Sequence, residues 1–210
     1  MIETEYSNKI KTTFRDERFG QIELLFKVYK LRNNREKLRK KLRALERMIN
    51  KGKNENLTNK IEAIKIISAE NSIKFKNVMS GLNISYNIFK LLKDQENNHQ
   101  YLANLDKARK KRRIDAQEYE IAKGFYLQKI IDINNCLNQL KETASLYFKE
   151  SKANLIQLED QRIRLSTEKL RKRISKQEFN QKYQEIEILK HQIEEKMAFL
   201  QVEIIDLDIK

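Results

Sequence analysis

Not one of the 210 residues is proline, and only Gly20, Gly52, Gly81 and Gly124 are glycine. Proline inside a helix removes a hydrogen bond and clashes with the preceding turn, at a cost of about 3 kcal/mol, and glycine costs about 1 kcal/mol. A chain nearly free of both can stay helical over most of its length. The expected fold is all-α, built of elongated long-helix hairpins or coiled coil with no β-sheet. The 35% of Asp, Glu, Lys and Arg fits that expectation, because long helices have more solvated flank than a globule of the same size.

Charge is distributed unevenly. Residues 27–53 hold twelve cations (Lys27, Lys30, Arg32, Arg35, Lys37, Arg39, Lys40, Lys41, Arg43, Arg47, Lys51 and Lys53) against Glu36 and Glu46, which is +10 of the chain's net +14. The run also has a seam. At spacings of three and four it reads Leu24, Val28, Leu31, Arg35, Leu38, Leu42, Leu45, Ile49, apolar at all but Arg35. That is the pattern of a helix packed along one stripe on another helix. The first helix is expected over about Gly20 to Asn50, ending where Lys51, Gly52, Lys53, Asn54, Glu55 and Asn56 gather turn formers.

A second helix follows, with a stripe of Leu57, Ile61, Ile64, Ser68, Asn71, Phe75, Val78 and Leu82, and then Tyr86, Phe89 and Leu92 after a one-residue slip. Ser68 and Asn71 interrupt it. The short turn makes the pair an antiparallel hairpin, packed through Leu38, Leu42, Leu45 and Ile49 on the first helix and Ile61, Ile64, Phe75, Val78 and Leu82 on the second. Lys93 to Gln100 is polar, and reads either as a break or as exposed helix.

Two later turns carry the strongest local signals. Lys111-Arg112-Arg113-Ile114-Asp115-Ala116-Gln117-Glu118-Tyr119 recurs sixty residues on as Arg171-Lys172-Arg173-Ile174-Ser175-Lys176-Gln177-Glu178-Phe179. Asp115 and Ser175 are expected to cap helices, with Glu118 and Glu178 completing capping boxes. Ile114 with Tyr119, and Ile174 with Phe179, read as hydrophobic staples. The preceding cations suit the negative end of the helix before. Matched positions continue past both caps, as in a duplicated helix-turn-helix, although two capped coiled-coil helices would resemble each other without duplication. The expected organisation is a short N-terminal segment over 1–19, a basic helical hairpin over 20–105, and a duplicated, capped long-helix region over 106–210. The last 26 residues hold seven acids and three lysines, so the chain ends acidic.

Catalysis needs converging polar groups, and the sequence shows no such set. His99 and His191 have no His, Cys or acidic partner at metal-ligand spacing. Cys136 lies beside a seam residue and near no base. No glycine-rich phosphate loop exists. The expectation is a non-enzymatic protein with no cofactor and no metal. No run of about 18 apolar residues is present, and the N-terminus lacks the basic-then-apolar order of a secretory signal. With a single cysteine, this suits a cytoplasmic protein.

Three readings compete for the basic helix. It could be a charged coiled-coil helix with no anionic partner, as in an adaptor that binds another protein. It could bind nucleic acid, whose phosphates respond to charge alone, but Phe26 and Tyr29 are its only aromatics and no nucleic-acid motif accompanies it. Or it could bind an anionic membrane surface, where clustered Lys and Arg gain about 1 kcal/mol each. The anionic-contact set is Lys27, Lys30, Arg32, Lys37, Arg39, Lys40, Arg43, Arg47, Lys51 and Lys53.

The turn residues Gly52, Lys53 and Glu55 precede Ala69-Glu70-Asn71-Ser72-Ile73-Lys74-Phe75-Lys76-Asn77 in the second helix. With the basic first helix and the acidic end, this order over residues 20–92 resembles the ESCRT-III superfamily. The resemblance implies a helical hairpin that self-associates into filaments on anionic membranes and remodels them, in cell division or vesicle budding. It implies a fold-back of the acidic end onto the core, and remodelling by an AAA-type ATPase. The end Val202-Glu203-Ile204-Ile205-Asp206-Leu207-Asp208-Ile209-Lys210 does not carry the leucine and arginine order of the family's ATPase-docking helix.

Overall fold

The computed structural model describes residues 2–49 and 55–208, with side chains from 17 to 49 and from 56 to 208. Among the described residues the chain is all-α, with no strand: α1 (Ile2–Ile49), α2 (Glu55–Gly81), a 3-10 turn (Ile84–Tyr86), α3 (Ile88–Lys110), α4 (Ala116–Leu170), α5 (Lys176–Leu200) and a π turn (Gln201–Ile205). It divides into two units, residues 1–87 and 88–210.

In the first unit α1 and α2 pair antiparallel. The register is set by polar groups at one end. Gln21 Nε2 donates to the Gly81 carbonyl at 3.3 Å, and its Oε1 accepts from the Asn83 amide at 2.8 Å. Ten residues along, Asn71 Nδ2 donates to the Leu31 carbonyl at 3.0 Å. Most of the core lies at this end: Ile22, Leu25, Phe26 and Val28 are buried, with Leu82 just past the end of α2, while Ile61 is buried near the other end of the pair. The helix ends at Gly81, where a Cβ would stand 3.6 Å from Leu24 Cδ1, in ordinary contact. Asn83 caps the 3-10 turn, accepting from the Ser85 amide at 3.2 Å and from its hydroxyl at 2.9 Å.

Two boundaries differ from the sequence reading. Helix α1 begins at Ile2 and passes through Gly20, so 1–19 is no separate segment. Nothing in that stretch breaks a helix, and a Cβ at Gly20 would meet nothing within 4 Å. The division between units falls at 87/88 rather than near 105. The interruption is Gly81-Leu82-Asn83, whereas the polar 93–100 stretch is interior to α3. Part of its polarity is directed inward: Gln95 and Asn98 are buried, and Gln95 Nε2 donates to Asn134 Oδ1 on α4 at 2.7 Å, while Lys93, Glu96, His99 and Gln100 are exposed.

The second unit is organised along α4, 55 residues and so about 80 Å of helix. Its N-terminal half pairs with α3, shown by Gln95 to Asn134, by the Tyr101 and Tyr126 rings at 5.4 Å, and by the Tyr119 hydroxyl donating to Asp106 at 2.8 Å. That carboxylate raises the Tyr119 phenol above its ordinary value through the hydrogen bond first. The C-terminal half pairs with α5 through Arg162 Nη1 to Glu187 at 3.6 Å and Lys190 to Glu159 at 3.6 Å. The densest burial sits at mid-helix, where Leu137, Leu140 and Ala144 are essentially inaccessible, as are Leu200 and Ile204. Lys141 donates to the Leu207 carbonyl and ties the π turn to α4.

The two expected turns share one geometry. Arg113 N–H donates to the Ala108 carbonyl and Arg112 N–H to Arg109; Arg173 donates to Glu168 and Lys172 to Lys169. These six-to-one and five-to-two bonds are the Schellman motif. Arg112 and Lys172 both stand at φ 55°, the left-handed position usually given to glycine. Asp115 forms a complete capping box with Glu118. The second is half formed: Ser175 Oγ accepts from the Glu178 amide at 3.1 Å, but the Glu178 carboxylate holds Lys182 at 2.8 Å.

Candidate anionic-surface interface

The seam of α1 sets where its cations go. Val28 is buried, and Leu31, Arg35, Leu38, Leu42, Leu45 and Ile49 are half-buried. Partial burial is what one partner helix can provide, since α2 covers a single stripe and leaves the flanks to solvent. Ile64, Phe75 and Val78 on α2 are half-buried for the same reason. The stripe on the far side reads Arg32, Glu36, Lys40, Arg43 and Arg47, spaced three or four apart and all exposed. Lys37, Arg39 and Lys41 are exposed beside it, as are Lys27 and Lys30 nearer the core.

From Lys27 to Arg47 this is about 30 Å of helix surface. Lys30 Nζ stands 5.4 Å from the Phe26 ring centroid, a cation–π contact. Among the described residues no carboxylate lies within ion-pair distance of Lys37, Arg39, Lys40, Lys41, Arg43 or Arg47. Glu36 and Glu46 are exposed on the same helix without pairing to them. Lys51 and Lys53, and with them the Gly52 turn, lie outside the described residues.

Two residues that position this helix were not singled out as functional by the sequence. Asn71 looked like a fault in the α2 stripe, but it is buried and locks the hairpin register on the Leu31 carbonyl. The available signal was a polar amide at a seam position, a common device for fixing register. Gln21 precedes the basic run and had no periodic signal.

The remaining titratable groups do not converge. His99 is exposed, His191 is exposed with Glu195 at 3.9 Å, and Cys136 is half-buried. Among the described residues no group of three His, Cys, Asp or Glu could hold a metal, and no helix is long and apolar enough to cross a membrane. A shallow groove of about 640 Å³ between α3 and α4 is lined by Asp94, Tyr101, Phe125, Tyr126 and Asp132, and Lys129 covers the Phe125 ring at 4.2 Å. Arg112, Lys172 and their neighbours form two further, smaller cationic clusters at the turns, all exposed.

No family model matches the chain, and neither a curated protein nor a solved structure is detectably similar to it.

Chemically, the α1 face offers several guanidinium and ammonium groups along one straight line. Guanidinium pairs with phosphate or carboxylate in a two-bond fork, and ammonium acts as a point charge. A helix face is rigid, so the groups arrive together and an extended anionic surface gains from all of them.

Proposed function

We propose that this chain is a non-enzymatic, filament-forming scaffold that docks on anionic membranes through α1, in the manner of ESCRT-III proteins. The observation that carries the reading is the row of cations from Lys37 to Arg47, exposed and, among the described residues, with no carboxylate at ion-pair distance, on a helix whose opposite stripe is held by α2. A helix with no use for anions would ordinarily mix its signs, as α4 and α5 do. The resemblance over residues 20–92 supplies the assembly half of the reading, including peripheral membrane localisation and remodelling by an AAA-type ATPase. At about 1 kcal/mol per cation near an anionic leaflet, the cations from Lys37 to Arg47 give binding of roughly tens of micromolar, and assembly multiplies it.

Co-sedimentation tests the reading. The full chain is mixed with neutral phosphatidylcholine vesicles, with vesicles containing phosphatidylserine, and with duplex DNA. The expected result is binding to the anionic vesicles alone, salt-sensitive, and lost in the Arg39→Glu/Arg43→Glu variant. Equal, salt-sensitive binding to DNA would transfer the reading to a nucleic-acid-associated coiled coil. Binding to neither would leave a coiled-coil adaptor whose partner is another protein.

A further inference from the structure

Helix α4 has two apolar stripes on opposite faces. The inner one, including Ala144, Ser151, Leu158 and Leu165, is buried or half-buried, on the side where α5 and the π turn pack. Two or five residues further on, and therefore about 140–200° around the helix, run Leu146, Ala153, Ile156, Ile163 and Leu170. These are exposed, Ile156 at 60% and Leu170 at 84%. Lys149, Asp160 and Thr167 complete the same three-four series.

Single exposed apolar residues are ordinary on any protein. Four large ones in heptad register over 25 residues of one helix are the pattern of a seam that has no partner among the described residues. The pattern is local. Further up the same face α4 shows Gln128, Asp132, Asn135, Gln139 and Glu142, all exposed and polar. The apolar stripe therefore begins where α4 leaves α3 and takes up α5.

We infer that this outer stripe is the seam of an antiparallel α4–α4 pair between two copies of the chain. The inference deepens the assembly half of the proposed function and rests on it, but needs no membrane. Orientation follows from the two charged positions in the stripe. A parallel, in-register pair would set Lys149 on Lys149 and Asp160 on Asp160, two like-charge layers in a desolvated seam. An antiparallel pair centred at residue 158 removes both clashes. It sets Leu146 against Leu170 of the second copy, Ala153 against Ile163, Ile156 against Asp160, and Lys149 against Thr167. On the flank it brings Glu150 of each copy beside Arg164 of the other, two complementary contacts related by the two-fold axis.

Sedimentation equilibrium on the full chain, without lipid and across about 1–200 µM, measures this directly. The expected mass rises toward twice the 25.2 kDa chain. Ile156→Glu/Ile163→Glu should return it to the single-chain value with unchanged helicity by circular dichroism, both side chains being exposed in the monomer. Register is read in a Cys136→Ser background by mixing Ala153→Cys chains with Ile163→Cys chains under mild oxidation. A disulfide between the two variants is expected, and none within either variant alone. A single-chain mass throughout would overturn the inference, as would a dimer indifferent to the paired glutamates, or crosslinking of Ala153→Cys to itself. Vesicle binding by a chain that stays single would overturn this seam and leave the membrane reading standing. Loss of vesicle binding in Arg39→Glu/Arg43→Glu with the dimer mass intact would do neither harm.

Discussion

The α1–α2 and α4–α5 hairpins share a plan, two antiparallel helices joined along an apolar stripe, yet they treat charge in opposite ways. In α4–α5, Arg162 reaches Glu159 on its own helix and Glu187 across the seam, while Lys190 crosses back to Glu159. Glu159 raises the Arg162 guanidinium above its ordinary value. In α1–α2 the row from Lys37 to Arg47 has no such counterpart among the described residues. Exposed ion pairs contribute little to stability in either case. The difference is therefore one of availability: the second pair ties Arg162 and Lys190 to acids along its seam, and the first leaves the row from Lys37 to Arg47 for something outside.

The largest expected effect breaks the comparison at its charged end. Arg39→Glu/Arg43→Glu removes two cations and adds two acids. At about 1 kcal/mol per cation near an anionic leaflet, and allowing for screening, the affinity for phosphatidylserine vesicles should fall by about 30- to 1,000-fold. The same change in charge at Arg171→Glu/Arg173→Glu, on a short turn rather than a long face, should cost much less. Equal losses from the two variants, read by co-sedimentation at matched salt, would mean that net charge matters and the α1 face does not.

Next in size is the apolar seam. Leu165 on α4 is 6% exposed, whereas Leu38 on α1 is only half-buried. Leu165→Ala should destabilise by about 3 kcal/mol and Leu38→Ala by about 1 kcal/mol, because the cavity and transfer costs scale with what is buried. Urea unfolding gives both values if the units unfold separately. A Leu38→Ala cost matching that of Leu165→Ala would show α1 more deeply covered than one neighbour can manage, pointing to a further helix on that hairpin. Smaller again is Glu159→Gln, which removes the acid shared by Arg162 and Lys190. Its melting shift should be too slight to resolve without a double-mutant cycle against Lys190→Ala.

The same contrast shows how far the sequence could be read. Helix content followed from the missing proline, and both turns near 114 and 174 followed from caps and cations that act within a few residues. The α1 seam was legible because its leucines recur on one side. What escaped reading depended on distant partners. The polar run at 93–100 looks like a break until Asn134, forty residues away, takes Gln95. Asn71 looks like a defect until Leu31 supplies its carbonyl. At 81–87 the apolar stripe merely slips by one residue, and only the Gln21 clamp on Gly81 and Asn83 marks that slip as a boundary. The cations of 27–47 were visible as a count. Whether carboxylates from other helices would neutralise them was not, because that depends on which acids the fold brings near.

Another small effect compares the two turns themselves. Arg112 and Lys172 sit at φ 55°, where a side chain costs roughly 1–2 kcal/mol and glycine costs nothing sterically. Glycine also loosens the unfolded chain, by about 0.5–1 kcal/mol in the opposite sense. Arg112→Gly and Lys172→Gly should thus each stabilise the protein by about 0.5 kcal/mol, seen as a small rise in the urea midpoint at constant slope. The two gains should match, because both turns close with the same pair of backbone bonds. The caps should not match. Asp115 accepts from Glu118 and receives its carboxylate in return, while at the second turn Glu178 is drawn away to Lys182. Glu118→Ala should therefore cost more than Glu178→Ala, and a reversed order would mean that Lys182 supports the second turn better than a closed box supports the first.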